Sequence, residues 1–265
     1  MTGGGLVVAG LAVLAAALIV ALIGAHRSAG RVRGRLATVT ADLERLQHEF
    51  ARFAPIDLVE RVIARGVPSG GERKEVTVLF ADLVGFTPLA ESVDPSVLVR
   101  ILNGYFERMS AAITAHHGHI STLIGDGILA LFGALEANPW QTDDAAHAAL
   151  AMREAMARYN EELAREGLPA LAVGIGLHRG RGIAGLVGSH ELMQFTVVGS
   201  VVNVAARVQA LTREHHVDVL LTADVQEALD PGFTLRALPP SPLKGVREPV
   251  ATFALLGRDG GPPRA

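Results

Sequence analysis

The chain has 265 residues, of which 49% are hydrophobic, so it has room for one large domain with a substantial core and a smaller additional segment. Its formal net charge of −3 gives no electrostatic reason to expect nucleic acid as a partner. The absence of cysteine excludes disulfide bonds, thiolate chemistry and cysteine-ligated zinc.

Residues 1–26 predict a single transmembrane helix. No charged side chain occurs from Met1 to Ala25, and the continuous apolar run that begins at Leu6 is long enough to cross a bilayer core of about 30 Å. A cleaved signal peptide is the alternative, but the start carries no positive charge and Ile23 fits poorly in a cleavage site. By the positive-inside rule, the arginines that follow predict a single-pass protein of the cell inner (plasma) membrane whose remaining chain is cytoplasmic. These arginines are Arg27, Arg31, Arg33 and Arg35.

Residues 27–65 predict a helical segment. Apolar residues recur there at alternating spacings of four and three, which is typical of a coiled-coil seam of about three heptads. A helix that packs on its own domain is the alternative. Pro55 interrupts the pattern, and the stretch from Gly66 to Gly71 predicts a linker at a domain boundary. The seam consists of Val32, Leu36, Val39, Leu43, Leu46, Phe50 and Phe53.

The run from Val76 to Ala81 predicts a buried strand that ends at Asp82. An acidic residue at the end of such a strand needs a partner, and a cation is the obvious one. Taken alone, Asp82 is more often a helix N-cap or a turn residue than a metal ligand.

A second acidic residue lies in the turn Gly125-Asp126-Gly127, between two apolar runs that predict a β-hairpin. In an isolated turn of this composition, the aspartate is explained simply because it suits a tight turn. Two acids at strand ends, each beside a glycine that lets the backbone approach a ligand, instead favour a divalent ion that carries phosphate oxygens.

Further elements are predicted along the chain. Asp94 and Pro95 begin a helix that Gly118 ends, and residues 143–166 form an alanine-rich helix. Strands are predicted over 171–178, 182–187 and 193–198, around the sequence Arg-Gly-Arg at 179–181, and residues 257–265 predict a disordered tail. The histidines after the first helix are either solvated or a zinc site; they are His116, His117 and His119.

Ser200 is a plausible N-cap of a helix that carries Asn203 and Arg207. The two polar residues are four positions apart and therefore lie on one face of the helix. Spacing alone favours two side chains that simply face solvent. The buried face is predicted to consist of Val201, Val204, Ala205, Val208 and Leu211.

Four blocks of this sequence resemble the class III nucleotidyl (adenylate/guanylate) cyclase catalytic domain, in order and at typical spacing. They are residues 80–87, 124–127, 198–207 and 243–245. The resemblance covers residues 72–256 and implies a ferredoxin-like α/β (α+β) fold of βαββαβ order and a head-to-tail homodimer. It also implies that residues 50–62 transmit signals to the catalytic domain.

The resemblance also assigns roles to residues of the blocks. Asp82, Asp126 and the Leu83 carbonyl would hold two Mg²⁺ or Mn²⁺ ions per active site. Asn203 would orient the ribose, and Arg207 would neutralise charge on the α-phosphate in the transition state. Phe86, Thr87 and Lys244 would bind the substrate, with Lys244 on the triphosphate. In the homodimer, one protomer would supply the metal-binding acids and the other the remaining polar residues.

The residues that would recognise the base depart from the family pattern. Thr122 stands where adenylate cyclases usually have lysine and guanylate cyclases glutamate, and Thr196 stands where many adenylate cyclases have aspartate. Threonine at the second position still permits a hydrogen bond to the adenine amino group. An arginine often found four residues before His178 is also replaced, by Gly174.

The sequence as a whole predicts a membrane-anchored adenylate cyclase, a phosphorus–oxygen lyase that converts ATP into cyclic AMP and pyrophosphate by attack of the 3′-hydroxyl on the α-phosphate. One alternative is a non-catalytic, nucleotide-sensing signalling module that kept the site and lost efficient base recognition. The other is a guanylate cyclase.

Overall fold

The computed structural model describes residues 70–189, 193–243 and 249–258. The predicted transmembrane helix and the predicted helical segment lie outside these residues, and so does Lys244. Within the three described ranges, no helix combines the length and the apolar character that crossing a bilayer would require.

The described residues form a mixed α+β domain in which most of the strands pair antiparallel. The elements in chain order are β1 (Glu72–Val84), α1 (Phe86–Ser92), α2 (Pro95–Ala115), β2 (His119–Ile124), β3 (Gly127–Phe132), α3 (Gln141–Arg165), β4 (Ala172–Gly188), β5 (Met193–Val198), α4 (Ser200–His215), β6 (Val219–Thr222), α5 (Ala223–Gln226), β7 (Phe233–Ser241) and β8 (Val250–Arg258).

One sheet organises the domain, with the strand order β2-β3-β1-β4-β6-β8-β7, and β5 pairs with β4 outside this path. Strands β1 to β4 pair antiparallel, whereas β4 and β6 pair parallel. With helices between β1 and β2 and between β3 and β4, this half of the sheet has the βαββαβ order that the sequence predicts.

The side chains of β1 alternate between two faces of the sheet. Leu79, Ala81 and Leu83 are buried in the main hydrophobic core together with side chains of α2 and α3. Asp82 points to the opposite face, because its cross-strand partner Gly174 faces α4. Helix α4 packs on β4 and β1 at this face, so Asp82 lies between the sheet and the end of α4.

The predicted helix that begins at Asp94 and Pro95 is confirmed, and so is the hairpin predicted around Asp126. Asp94 caps α2, since its carboxylate accepts a hydrogen bond from the backbone N–H of Ser96 at 2.8 Å, and Pro95 is the first helical residue. Strands β2 and β3 form the predicted hairpin. The five predicted apolar positions of α4 are all buried.

Three predicted element ends need correction. Asp82 lies inside β1 rather than after it, because pairing with β3 ends at Ala81 while pairing with β4 continues to Val84. Helix α4 begins at Ser200 with Gly199 as its N-cap, and Ser200 makes no side-chain cap. Strand β8 includes the first two residues of the predicted tail, Gly257 and Arg258, and the rest of that tail lies outside the described residues.

The strands predicted over 171–178 and 182–187 are in fact one strand, β4. The ladder with β1 continues through the Arg-Gly-Arg sequence, where Arg179 pairs with Thr77 and Arg181 pairs with Glu75. A side-chain ion pair of 3.2 Å between Arg179 and Glu75 adds to this pairing. Glycine is depleted in strands, but cross-strand pairing determines the conformation here.

Gly176 allows α4 to approach β4 closely. A Cβ atom at Gly176 would lie 2.6 Å from the backbone oxygen of Ala205 and would collide with the backbone nitrogen of Gln209. Because both neighbours are helix backbone, they cannot rotate away as a side chain could. The bare strand surface at Gly176 therefore sets the distance between α4 and the sheet.

We expect Gly176→Ala to lower the free energy of unfolding by about 1–3 kcal/mol, because the added methyl group forces α4 away from β4. The measurement is urea unfolding followed by the fluorescence of Trp140, the one tryptophan of the chain, which reports on this domain alone. Gly257→Ala is the control, since a Cβ there meets nothing within 4 Å. Equal unfolding midpoints for the two variants would contradict the close-packing account.

Candidate active site

Strand pairing brings the two predicted metal ligands together. Because β1 pairs with β3 up to Ala81 and Ile128, the turn that holds Asp126 lies beside Asp82. Asp126 Oδ2 accepts a hydrogen bond of 3.2 Å from the backbone N–H of Leu83. The Cβ position at Gly127 is 3.4 Å from Asp82 Oδ1, so the turn is in van der Waals contact with the carboxylate.

The two carboxyl groups lie close enough to hydrogen-bond and to repel one another. Burial, followed by the charge and the hydrogen bond of Asp126, raises the pKa of Asp82 to about 6, although the Arg213 guanidinium opposes the shift. The negative charge also acts on the core, since the pKa of buried Tyr105 is raised by burial and then by Asp82 and Asp126. A pair of acids this close favours a bound cation.

A cationic side chain already contacts two of the predicted ligands. Arg213 Nη2 lies 2.8 Å from Asp82 Oδ2 and 3.1 Å from the carbonyl oxygen of Leu83. Two carboxylates and a backbone carbonyl are hard oxygen donors, which suit Mg²⁺ or Mn²⁺. Within the described residues, no group of three or more His, Cys, Asp or Glu side chains is placed to bind a metal, so phosphate and water would complete the coordination. The residues present therefore fit the divalent ions.

Asn203 and Arg207 lie on α4, with Asn203 exposed and Arg207 half-buried. They share a face of the helix, as predicted from their spacing. The same helix reaches the carboxylates at its other end through Arg213. From Arg213, Arg207 is roughly 9 Å and Asn203 roughly 15 Å away along the axis, and Arg207 is turned by about 120° around it. Asn203 and Arg207 therefore do not lie at the end of α4 that contacts the acids.

The base-recognition candidates lie on two strands that are tied together. Thr122 and Thr196 are both half-buried, on β2 and β5 respectively. The Ser121 hydroxyl donates to the carbonyl of Phe195 at 3.0 Å, and the Gln194 side-chain amide donates to the carbonyl of Ser121. These bonds join the segments next to the two threonines, so both threonines belong to one region of the surface.

The remaining substrate-binding candidates have different surroundings. Phe86 begins α1 and packs against the main core, whereas Thr87 is exposed. Lys244 lies outside the described residues, but Leu243 before it is buried against the apolar face of α4.

The three histidines suggested as a zinc site do not converge on one point. His119 is buried and stacks edge-on against Phe195, while His116 stacks on His147. His117 lies 3.4 Å from the Asp144 carboxylate. With no metal-binding group of three among the described residues, the zinc interpretation loses its support.

Arg213 is the residue at this site that sequence reasoning missed. It is 131 positions from Asp82, and at the end of an amphipathic helix it resembles a solvated basic residue. The available signal was the glycine at position 174, since Gly174 is the cross-strand partner of Asp82 and adjoins Thr212. A small residue opposite a buried acid leaves room for a side chain from elsewhere.

We expect Asp126→Asn to stabilise the metal-free domain at pH 7.5 by roughly 1 kcal/mol, a modest value because Asp82 is partly solvent-screened. The folded pKa of Asp82 lies above its unfolded value, so ionised Asp82 opposes folding above about pH 6, and this cost disappears as the pH falls below 3.8. Urea unfolding followed by Trp140 fluorescence at pH 7.5 and pH 4 measures the difference.

The control for this substitution is Glu154→Gln, which removes one exposed negative charge away from the site. It should leave the midpoint unchanged at both pH values. An Asp126→Asn variant that is no more stable than the unmodified chain at pH 7.5 would show that the two carboxylates do not repel one another.

Known proteins share both the sequence and the fold of this domain. Residues 70–257 match the family model described as the adenylate and guanylate cyclase catalytic domain. An adenylate cyclase of Anabaena cylindrica is 33% identical over 222 residues, covering 80% of this chain and 43% of the relative. Adenylate cyclase 1 of Rhizobium meliloti is 30% identical over 210 residues, covering 78% of this chain and 32% of the relative. The chain thus spans less than half the length of these curated relatives.

Solved structures of cyclases also resemble this domain. The crystal structure of the guanylyl cyclase Cya2 is 33% identical with a TM-score of 0.66, covering 73% of this chain and 96% of that one. A bacterial light-regulated adenylyl cyclase is 25% identical with a TM-score of 0.70, covering 86% of this chain and 65% of that one. With the paired acids and the antiparallel-rich sheet, these matches establish that the chain belongs to the family of adenylate and guanylate cyclase catalytic domains.

Proposed function

We propose that this protein is a membrane-anchored adenylate cyclase that converts ATP into cyclic AMP and pyrophosphate. The observation that supports the proposal most strongly is the position of Asp126 beside Asp82 and Leu83, whose carboxylate and carbonyl oxygens already contact one cationic group. Such oxygen donors suit a divalent ion that binds a triphosphate.

In the proposed reaction, the ribose 3′-oxygen forms a bond to the α-phosphorus as the bond to the bridging oxygen breaks. Pyrophosphate leaves, and the hydroxyl proton passes to solvent. Bound divalent ions would lower the pKa of the 3′-hydroxyl and neutralise phosphate charge. Asp82, Asp126 and the Leu83 carbonyl would hold them, while Asn203 would orient the ribose and Arg207 would oppose the charge that develops on the α-phosphate.

The proposed active unit is a head-to-tail homodimer. Asn203 and Arg207 of one chain are separated along α4 from the acids of the same chain, so a second protomer would supply them. Exposed apolar side chains near the acids favour such a contact, since Leu123 and Ile124 precede the Asp126 turn and are 48% and 55% exposed. Val84, at the end of β1, is 42% exposed.

ATP is the proposed substrate because two curated relatives at 30% identity or more are named adenylate cyclases. A threonine hydroxyl at position 196 also permits a hydrogen bond to the adenine amino group. Guanylate cyclase is the second candidate, because a structure 33% identical is a guanylyl cyclase and Thr122 lacks the lysine usual for adenine.

The membrane anchor is proposed from the uncharged run of residues 1–26, and the coiled coil from the heptads of residues 27–65. Confinement to a membrane plane and a coiled coil would both raise the effective concentration of one protomer near another. The catalytic domain would then lie on the cytoplasmic side of the inner membrane.

Purified chain supplied with Mn²⁺ should produce cyclic AMP from ATP faster than cyclic GMP from GTP. Asp82→Ala should lower turnover by at least about a hundredfold, because Asp126 alone cannot supply the lost carboxylate. Chromatographic separation of the cyclic products measures both, and Glu154→Ala, an exposed acid away from the site, is the matched control.

Faster production of cyclic GMP would favour the guanylate cyclase candidate. No product from either triphosphate, with intact folding by Trp140 fluorescence, would favour the non-catalytic signalling module. Unchanged turnover in Asp82→Ala would refute the assigned metal site.

A further inference from the structure

Arg213 occupies a position that the proposed metal-site chemistry does not use. It lies in the last turn of α4, and one guanidinium nitrogen contacts both the Asp82 carboxylate and the Leu83 carbonyl. These two oxygens are among the three donors assigned to the divalent ion. A metal ion and this guanidinium nitrogen would therefore compete for the same two donor groups.

The fold places Arg213 there by the close packing of α4. A Cβ atom at Gly174 would lie 3.0 Å from the Gln209 side-chain nitrogen and would collide with the Thr212 hydroxyl. A larger side chain on β4 opposite Asp82 would have to displace the side chains of Thr212 and Gln209. The absence of a side chain at 174 brings Thr212 onto the strand and Arg213, the next residue, beside the acid.

The end of the helix is itself fixed. The Thr212 hydroxyl donates to the carbonyl of Gln209 at 2.6 Å, and the backbone N–H of Val217 donates to the carbonyl of Thr212 at 3.1 Å. The backbone of Arg213 is thereby held, whereas its side chain is 50% exposed and borders solvent. Its contact with Asp82 can be broken without unfolding the helix.

The charges explain why a cation is favoured there. Asp82 and Asp126 repel one another, and in the metal-free protein the positive charge of Arg213 reduces that repulsion. A half-exposed ion pair is weak enough to be exchanged for a divalent ion, which offers twice the charge. Once displaced, the guanidinium remains within reach of whatever anion accompanies the metal.

We propose that Arg213 is an internal competitor of the divalent ion, which contacts Asp82 and Leu83 in the metal-free protein and raises the metal concentration that the site requires. This inference rests on the proposed metal role of Asp82. Arg213 would act through the metal ligands and is therefore a positioning residue.

The test is direct Mn²⁺ binding to the full chain in detergent micelles, with free Mn²⁺ measured by electron paramagnetic resonance and no nucleotide present. Arg213→Gln should bind Mn²⁺ about fivefold more tightly than the unmodified chain, because the competing charge is gone. Arg213→Lys, which keeps the charge but lacks the planar fork, should fall between the two. Arg158→Gln is the control, since it loses the same charge on the exposed surface of α3 and should bind as the unmodified chain does.

The same assay on Asp82→Ala separates this inference from the proposed function. Loss of Mn²⁺ binding in Asp82→Ala together with tighter binding in Arg213→Gln supports both. Loss of Mn²⁺ binding in Asp82→Ala, together with unchanged or weaker binding in Arg213→Gln, overturns the inference but not the proposed function. Arg213 would then only support the metal ligands. Unchanged binding in Asp82→Ala overturns both.

A purely structural role for Arg213 would appear as a loss of stability accompanied by weaker metal binding. Urea unfolding followed by Trp140 fluorescence, without metal, should then show a large loss in Arg213→Gln together with weaker Mn²⁺ binding. If Arg213 competes with the metal ion, Arg213→Gln should instead bind Mn²⁺ more tightly, whatever the change in stability. An Arg213→Gln variant that both unfolds early and binds Mn²⁺ less tightly overturns the proposal.

Discussion

The pairing of β1 with β3 places two carboxylates side by side, and the chemistry of the domain depends on the resulting repulsion. Backbone hydrogen bonds along the strands fix the positions of Asp82 and Asp126, so the acids cannot separate to lower their energy. Burial, and after it the charge and the hydrogen bond of Asp126, raise the pKa of Asp82 to about 6. A site of this kind is built for a cation.

The close packing of α4 is the second constraint. Two glycines of β4, Gly174 and Gly176, leave no side chain between the strand and the helix. The end of α4 consequently meets the acids through Arg213, while Asn203 and Arg207 lie farther along the helix and on another side of it. One helix can thus serve one site at its end and present its polar face to a second protomer.

Much of this arrangement could be predicted from particular residues. The apolar run before Asp82, the glycines around Asp126 and the Asp-Pro start of α2 each specify a local structure, and the structure contains all three. The four sequence blocks indicated the family, which the comparisons establish. Local signals are reliable when the residues that determine a structure are neighbours in the chain.

The errors arose where distant residues decide the outcome. Separate strands were predicted on either side of Arg-Gly-Arg at 179–181, but the ladder with β1 keeps β4 continuous. The contact between Arg213 and Asp82 joins residues 131 positions apart, and its cause is an absent side chain at Gly174, which no periodicity reveals. Ser200 suited a helix cap by type, but the helix begins one residue earlier than a cap at that position would require.

The central claim is that the acids of one chain and the α4 polar face of another form each active site. The most direct measurement mixes Asp82→Ala protein with Arg207→Ala protein, each inactive alone, and follows cyclic AMP formation after subunit exchange has been verified. The account predicts restored activity, because a mixed dimer contains one site with both lesions and one site with neither. A mixture that exchanges subunits and stays as inactive as its components would contradict it.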